Sequence, residues 1–498
     1  MAGAERSSPD AIVPHVSVID SGRTVWKAAH ADRASFIIDA CDYYRTIRQA
    51  MLEAKQRILI VGWDFDPRIK LDRTDEANDH ETLGSFLLGL AKERPNLEIK
   101  ILKWDFGILK FLFRGSAVLW LARLAAQRSI TFKLDGAHPP GCSHHQKIVV
   151  IDDSFAICGG IDMSGDRWDR PSHEDDDPDR VRPSGRHYGP WHDTTMAVQG
   201  DIARVIGEAA RNRWKRATGE KLAPVRKREP LWPDGLDPHF RNIDIGVART
   251  IAKYKTYREV KEIEALFLAM IASAKRSIYA ESQYFASPRI AAAIRARLME
   301  KNPPEIVLIN PIRADGWLEQ TAMDATRVRL GQVIGQSDPA NRFRIYTPVT
   351  KGGDDIYVHS KVLIVDDRMM KVGSANMNNR SLGLDSECDL IIEAKTPAQR
   401  KRIASLRTRL LAEHLGVREE TVDRKLEETG SLLATIEALK GRGKTLRLLK
   451  FEKPSEAGKF IADAELLDPK SPDVMFEDMT SRSLFSSFGG LRDRVTGG

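Results

Sequence analysis

His145-Gln146-Lys147 is followed by four apolar residues and Asp152, and the same arrangement returns as His359-Ser360-Lys361, four apolar residues and Asp366. After six more residues each copy reaches a small-residue turn, Gly159-Gly160-Ile161-Asp162 in the first and Gly373-Ser374-Ala375-Asn376 in the second. Upstream, the run from Ala54-Lys55-Gln56-Arg57-Ile58 to Phe65 aligns without gaps on the run from Ala274-Lys275-Arg276-Ser277-Ile278 to Phe285. The offset is 220 residues between Ala54 and Ala274, and 214 between His145 and His359. Self-similarity over this length implies two equivalent α/β halves and excludes a solenoid, whose repeats are a few tens of residues.

A chain of 498 residues accommodates roughly two to four domains, and the duplication selects two. Lys and Arg number 77 against 70 Asp and Glu, so the net charge of +7 is a mild bias toward an anionic partner, not the footprint of a dedicated nucleic-acid binder. Cys41, Cys142, Cys158 and Cys388 show neither disulfide nor metal spacing, and Met1 to Val18 has no basic-then-apolar leader, so a reducing cytoplasmic setting is expected. The most apolar stretch, Phe106 to Ala126, is divided by Lys110, Arg114 and Arg123 and is read as a packed helix, with an interfacial helix as the alternative and no integral membrane span.

The expected organisation is a disordered segment over 1–24, a first half over 25–216, a linker over 217–247 carrying Pro224, Pro230, Pro233 and Pro238, a second half over 248–415, and a helical and irregular extension over 416–498. Helical patterns over 37–55 and 81–94 alternate with apolar strands over 57–63, 97–104 and 148–151. The second half repeats this rhythm, with helices over 259–275, 289–301 and 317–334 and strands over 277–280, 305–309, 342–346 and 361–365. Helix is expected from Lys395 to about Leu449, with solvated Arg/Lys-rich faces, and the tail is read as a cap on the second half.

On a strand, residues two apart share a face, so His145 projects with Lys147 and His359 with Lys361. Asp152 and Asp366 lie an odd number of positions from their histidines and are read as supporting groups, as is Asp162. Two ammonium groups and two imidazoles in one pocket suit a phosphodiester: the lysines neutralise non-bridging oxygens, one neutral histidine attacks phosphorus and the other donates a proton to the leaving oxygen. Water or an alcohol then releases the phosphohistidine, and the scheme requires neither metal nor cofactor. Ser374 and Asn376 are candidates to donate to phosphate. Each histidine needs a carboxylate on its other nitrogen, and Trp191-His192-Asp193 and Asp385-Ser386-Glu387 lie downstream of the two turns. The first half carries an insertion over 166–190, expected as a lid or selector loop. Within it, His173 to Asp177 is read as a solvated acidic loop in preference to a Ca²⁺ site. Zinc is set aside, because His144 faces away from His145 and no other His or Cys has ligand spacing.

The paired motifs, the Tyr357-Val358-His359-Ser360-Lys361 stretch, the Asn376-Met377-Asn378-Asn379-Arg380-Ser381 run and the strand end Glu281-Ser282-Gln283-Tyr284-Phe285 resemble the phospholipase D superfamily over most of residues 25–415. The resemblance implies two pseudo-symmetric α/β/α sandwich domains with mixed sheets and an active site at their interface. It also implies His145 as nucleophile, His359 as acid/base, Lys147, Lys361 and Asn376 on phosphate, and Asp193 and Glu387 as the orienting carboxylates. Asp162 stands where asparagine is more usual. The function expected is hydrolysis or transfer of phospholipid head groups at a membrane surface, with water or alcohol as acceptor. A cardiolipin synthase-like transferase and a nuclease are the rivals, the latter disfavoured by the small net charge and by the lack of interleaved basic and aromatic residues.

Overall fold

The computed structural model describes residues 17–73, 81–105, 117–226, 229–312 and 317–449. The first half runs β1 (Lys27–Ile38), α1 (Ala40–Leu52), β2 (Arg57–Gly62), α2 (Leu83–Glu93), β3 (Glu98–Trp104), α3 (Ala117–Ala125), β4 (Ile130–Asp135), β5 (Ile148–Ile151), β6 (Phe155–Gly159), β7 (Trp191–His192), β8 (Thr194–Gln199) and α4 (Asp201–Thr218). The second runs β9 (Phe240–Ile251), β10 (Val260–Lys261), α5 (Glu262–Ser273), β11 (Ser277–Glu281), α6 (Pro288–Leu298), β12 (Glu305–Ile309), α7 (Trp317–Gly335), β13 (Phe343–Val349), β14 (Tyr357–Val358), β15 (Val362–Val365), β16 (Met369–Gly373) and β17 (Glu387–Glu393). Helices α8 (Pro397–Leu415), α9 (Glu419–Thr429) and α10 (Leu432–Leu439) and strand β18 (Thr445–Leu448) follow.

Among the described residues the two halves share one mixed sheet of 16 strands, ordered β18-β13-β12-β11-β15-β16-β17-β9-β1-β8-β6-β5-β2-β3-β4, with β10 on the end of β9. The order is symmetric about the antiparallel β1–β9 pair, which runs from Lys27 opposite Val247 to Ala34 opposite Phe240. In each half three strands are parallel, β2-β3-β4 and β11-β12-β13, and the remaining main-sheet pairs are antiparallel.

Alternation along the central strands sorts their side chains into three cores. Leu59, Val61, Ile148 and Val150 join Val362, Ile364, Leu390 and Ile392 from the other half in one core, closed by Ile206 and Trp214 of α4 and Leu406 and Leu410 of α8. Ile58, Ile60, Val149 and Ile151 face the opposite way, against Tyr44 and Ile47 of α1 and Leu87 of α2. Ile278, Leu363 and Val365 do the same in the second half, against Leu266 and Phe267 of α5 and Ile290 of α6. Helix α8 begins at a capping box, in which Thr396 accepts from the Gln399 N–H and the Gln399 side chain accepts from the Thr396 N–H, and it stops at Gly416 with φ 63°.

Several local expectations change. Residues 37 and 38 end a strand; the helix expected from residue 37 starts at Ala40. Strand β9 starts at Phe240, inside the stretch expected as linker. The helical extension ends in β18, which pairs with β13 and covers that sheet edge. The expected N-terminal disorder lies outside the described residues except 17–24, and the cap expected of residues 450–498 lies wholly outside them. Of the apolar stretch from Phe106, only residues from Ala117 on are described, where α3 leaves Leu119 64% exposed. No helix among the described residues is long and apolar enough to cross a membrane.

Candidate active site

Two chain crossings assemble the site. Strand β14 runs parallel to β7, with Tyr357 opposite Trp191 and Val358 opposite His192, and the His359 N–H donates to the His192 carbonyl at 2.8 Å. The matching crossing joins His144 to Ser386. There the His145 N–H donates to the Ser386 carbonyl at 2.9 Å, and the Ser386 N–H to the Ser143 carbonyl at 3.0 Å.

Each crossing sets a histidine beside a carboxylate of the other half. His145 Nδ1 is 3.0 Å from both oxygens of Glu387, and His359 Nδ1 is 2.6 Å from Asp193 Oδ2. A carboxylate accepting from Nδ1–H fixes the tautomer with the Nε2 lone pair free. Burial, reinforced by neighbouring cations, holds both imidazoles well below the usual histidine range: Lys147 and Lys361 act on His145, and Lys361, Arg167 and Lys147 on His359. The two halves' charges therefore act on one another within a single site. Burial also pushes Glu387 up to about 8 and Asp193 up to about 6, and it brings Lys361 down to about 7.

The lysines have unlike surroundings. Lys147 lies 3.1 Å from Asp162 Oδ2, while Asp162 Oδ1 accepts from the Trp63 N–H at 3.0 Å. At the equivalent positions Lys361 donates to Gln283 Oε1 at 3.4 Å, and Asn376 donates to the same oxygen at 3.5 Å. The first ammonium thus has a resident counter-charge where the second has only amides, and the second is left with charge to spend on an anion. Asn376 Oδ1 is buried with no hydrogen-bond partner.

Asp152 and Asp366 serve the backbone. Asp152 accepts from the N–H groups of Lys55, Gln56 and Arg57 at 2.7, 2.8 and 2.6 Å. Asp366 accepts from those of Lys275, Arg276 and Ser277 at 2.7, 2.7 and 2.9 Å. Each clasps the start of the strand beside its own motif strand.

Ser374, expected on phosphate, donates its hydroxyl to Glu387 Oε2 and so braces that carboxylate. At the matching position of the first half stands Gly160, where a side-chain carbon would overlap Asp193 Oδ1. The insertion, expected beside the pocket as a lid or selector loop, is a packed segment. Trp168, Asp169, His173, Asp177 and Arg180 are buried, and Asp175 accepts from the Gly352 N–H of the second half at 2.8 Å.

The sequence reading misses Trp191, whose ring lies 5.2 Å from that of His359 and stacks on Tyr357 at 4.5 Å. It also misses Arg167, 4.2 Å over Trp191, and Trp63, edge-on to His145 at 6.4 Å. Trp63 and Gln283 stand at equivalent positions of the aligned upstream segments, so the duplication itself marked both; nothing marked Arg167.

Two mixed α/β halves, each completing the other's histidine, define a two-motif, two-half enzyme class. A family model described as "Phospholipase D" matches residues 50–230, and one described as "Cardiolipin synthase, PLD-like domain" matches residues 267–405. Phospholipase D A of Dictyostelium discoideum is 25% identical over 460 residues, covering 76% of this chain and 35% of that protein. Phospholipase D delta of Arabidopsis thaliana is 24% identical over 546 residues, covering 75% of this chain and 63% of that protein. The chain thus spans from about a third to just under two thirds of the length of these relatives. The crystal structure of phosphatidylserine synthase from Haemophilus influenzae Rd KW20 matches with a TM-score of 0.55 at 14% identity, over 87% of this chain and 93% of that one, which establishes a common fold. The chain belongs to the phospholipase D superfamily.

Proposed function

We propose that the protein is a phospholipase D-type phosphodiesterase that hydrolyses or transfers the head group of a phospholipid through a phosphohistidine on His145. The observation that carries this reading is the reciprocal pairing of His145 with Glu387 and of His359 with Asp193 around two buried lysines. His145 Nε2 attacks phosphorus while the bond to the leaving oxygen breaks, and His359 protonates that oxygen. His359 is neutral in the empty site, and the negative charge of an arriving phosphate favours its protonated form. In the second step His359 takes a proton from water or an alcohol, whose oxygen attacks phosphorus as the bond to His145 breaks. Lys361 and Asn376 bear on the non-bridging oxygens, and Lys147 does so in balance with Asp162.

Hydrolysis and transfer share the first half-reaction, so the acceptor decides the product. The family model naming cardiolipin synthase over residues 267–405 is consistent with transfer. The substrate implies work at a membrane surface, and no helix among the described residues is long and apolar enough to cross it. Purified protein is to be incubated with vesicles of phosphatidylcholine, phosphatidylethanolamine or phosphatidylglycerol containing ethanol, and in parallel with single-stranded DNA. Phosphatidic acid with phosphatidylethanol is the expected product pair. Cleavage of DNA with every lipid untouched would overturn the reading in favour of a nuclease.

A further inference from the structure

Behind the site, four side chains from distant parts of the chain converge in the interior: Asp39 between β1 and α1, His173 in the insertion, His192 on β7, and Glu413 in the last turn of α8. One atom from each lies within 4.8 Å of all the others. Around the ring, His192 Nδ1 is 2.8 Å from Glu413 Oε1, which is 3.1 Å from His173 Nε2. That nitrogen is 3.5 Å from Asp39 Oδ2, and Asp39 Oδ1 is 3.3 Å from His192 Nδ1. Ligands held at about 2.0–2.1 Å by a tetrahedral zinc ion are about 3.3 Å apart, in the middle of this range.

Two further observations point the same way. The outer nitrogen of each imidazole is held by a carboxylate, His173 Nδ1 at 2.9 Å from Asp169 Oδ2 and His192 Nε2 at 2.9 Å from Glu281 Oε2; metal-bound histidines are oriented and made more basic in this way. Asp39 is fully buried, and its Oδ2, aimed into the ring, has no hydrogen-bond partner. Sequence spacing could not reveal the set, because no two of the four share a local motif.

We propose that Asp39, His173, His192 and Glu413 bind one tetrahedral divalent ion of the zinc type. It would serve a structural role, fastening α8 and the insertion to β7 and thereby fixing Asp193, the neighbour of His192 and the carboxylate on His359. The donor set of two imidazoles and two carboxylates suits zinc or cobalt, whereas calcium and magnesium take all-oxygen shells of higher coordination. The site lies outside the reacting groups, so it stands or falls independently of the lipid chemistry.

The test measures the metal directly. Full-length protein purified without chelator is analysed for zinc by mass spectrometry, then stripped with dipicolinate and titrated with Co²⁺ while its visible spectrum is followed. Zinc at one equivalent per chain, an intense tetrahedral d–d band saturating at one Co²⁺, and a melting temperature raised by Zn²⁺ are expected. Glu413→Gln and His173→Gln should each lose most of the bound metal. If either variant fails to fold, the wild-type spectrum decides alone. Absence of bound zinc together with no response to Co²⁺ or Zn²⁺ would overturn the proposal and leave two protonated imidazoles between carboxylates. A thiolate charge-transfer band would overturn it in favour of a cysteine site.

Discussion

Glu387 holds His145 from the far half of the chain, with both carboxylate oxygens 3.0 Å from Nδ1 across a sequence separation of 242 residues. Asp193 holds His359 by the same device in the opposite direction. Neither half contains a complete histidine–carboxylate pair, so the duplicated halves form one site.

Replacing Glu387 separates orientation from charge. Glu387→Gln keeps an oxygen to accept from Nδ1–H but removes the ionised partner, and a loss of about 10²–10³ in kcat is expected, with KM little changed. The same variant should be more stable at alkaline pH. In the folded protein the Glu387 carboxyl is raised from 4.5 to about 8, so the native state binds the extra proton between those values and loses stability as pH rises through them. Glu387→Gln abolishes that loss, so its advantage over wild type should grow by about 1–3 kcal/mol from pH 5 to pH 8. Melting curves at the two pH values check it, and an advantage that shrinks with pH contradicts it.

The two histidines should fail in different ways. His145→Ala lacks the attacking nitrogen and should form no phosphoenzyme. With a substrate whose leaving group is a good one, such as p-nitrophenol, His359→Ala should form the intermediate and stall, because no base remains to activate water. Acid-labile label on His359→Ala and none on His145→Ala is the expected pattern. The reverse pattern exchanges the roles, and label on neither mutant nor wild type removes the covalent intermediate.

The pH profile of kcat/KM should be a narrow bell. Activity requires the His145–Glu387 pair to have lost its second proton, which places the acid limb near 8, and requires charged Lys361, whose burial places the alkaline limb near 7. Because the two limbs cross, the maximum falls between about 7 and 8 and only a fraction of the free enzyme is correctly protonated; the apparent values belong to the coupled set. Lys361→Arg cannot lose its proton and should remove the alkaline limb while lowering kcat. A profile flat from pH 6 to pH 9 would exclude this assignment.

Asp152 and Asp366 act on folding. Each leaves three part-buried backbone N–H donors without their carboxylate acceptor when replaced by Ala, at an expected cost of about 1–3 kcal/mol. Their backbones have φ 53° and 55°, which Asn tolerates better than Ala, so Asp→Asn should cost only about half as much. Thermal unfolding distinguishes the two, and equal melting temperatures for wild type and Asp152→Ala would exclude the clasp.

Strands β2, β5 and β12 were readable within a residue of their ends, because strands buried on both faces form short, continuous apolar runs. Strand β1 was missed: Lys27-Ala28-Ala29-His30-Ala31-Asp32 mixes alanines with charged and polar residues, and its place comes from partners more than 150 residues away in β8 and β9. The insertion was misjudged for a related reason. Its acidic composition suggests solvent, yet His173 is buried against Asp39 and Glu413, carboxylates from distant parts of the chain that local composition cannot supply.

By itself, the sequence determined the duplication, the alternating elements of each half and the two His/Lys pairs, because repeat spacing and hydrophobic period are properties of local chain. Which carboxylate orients which histidine, that β1 and β9 join the halves into one sheet, and that Asp39, His173, His192 and Glu413 form one buried cluster were decided only by tertiary structure. Those contacts depend on how the two halves pack, and the free energy of burying their shared core is a property of the whole fold that no local period records.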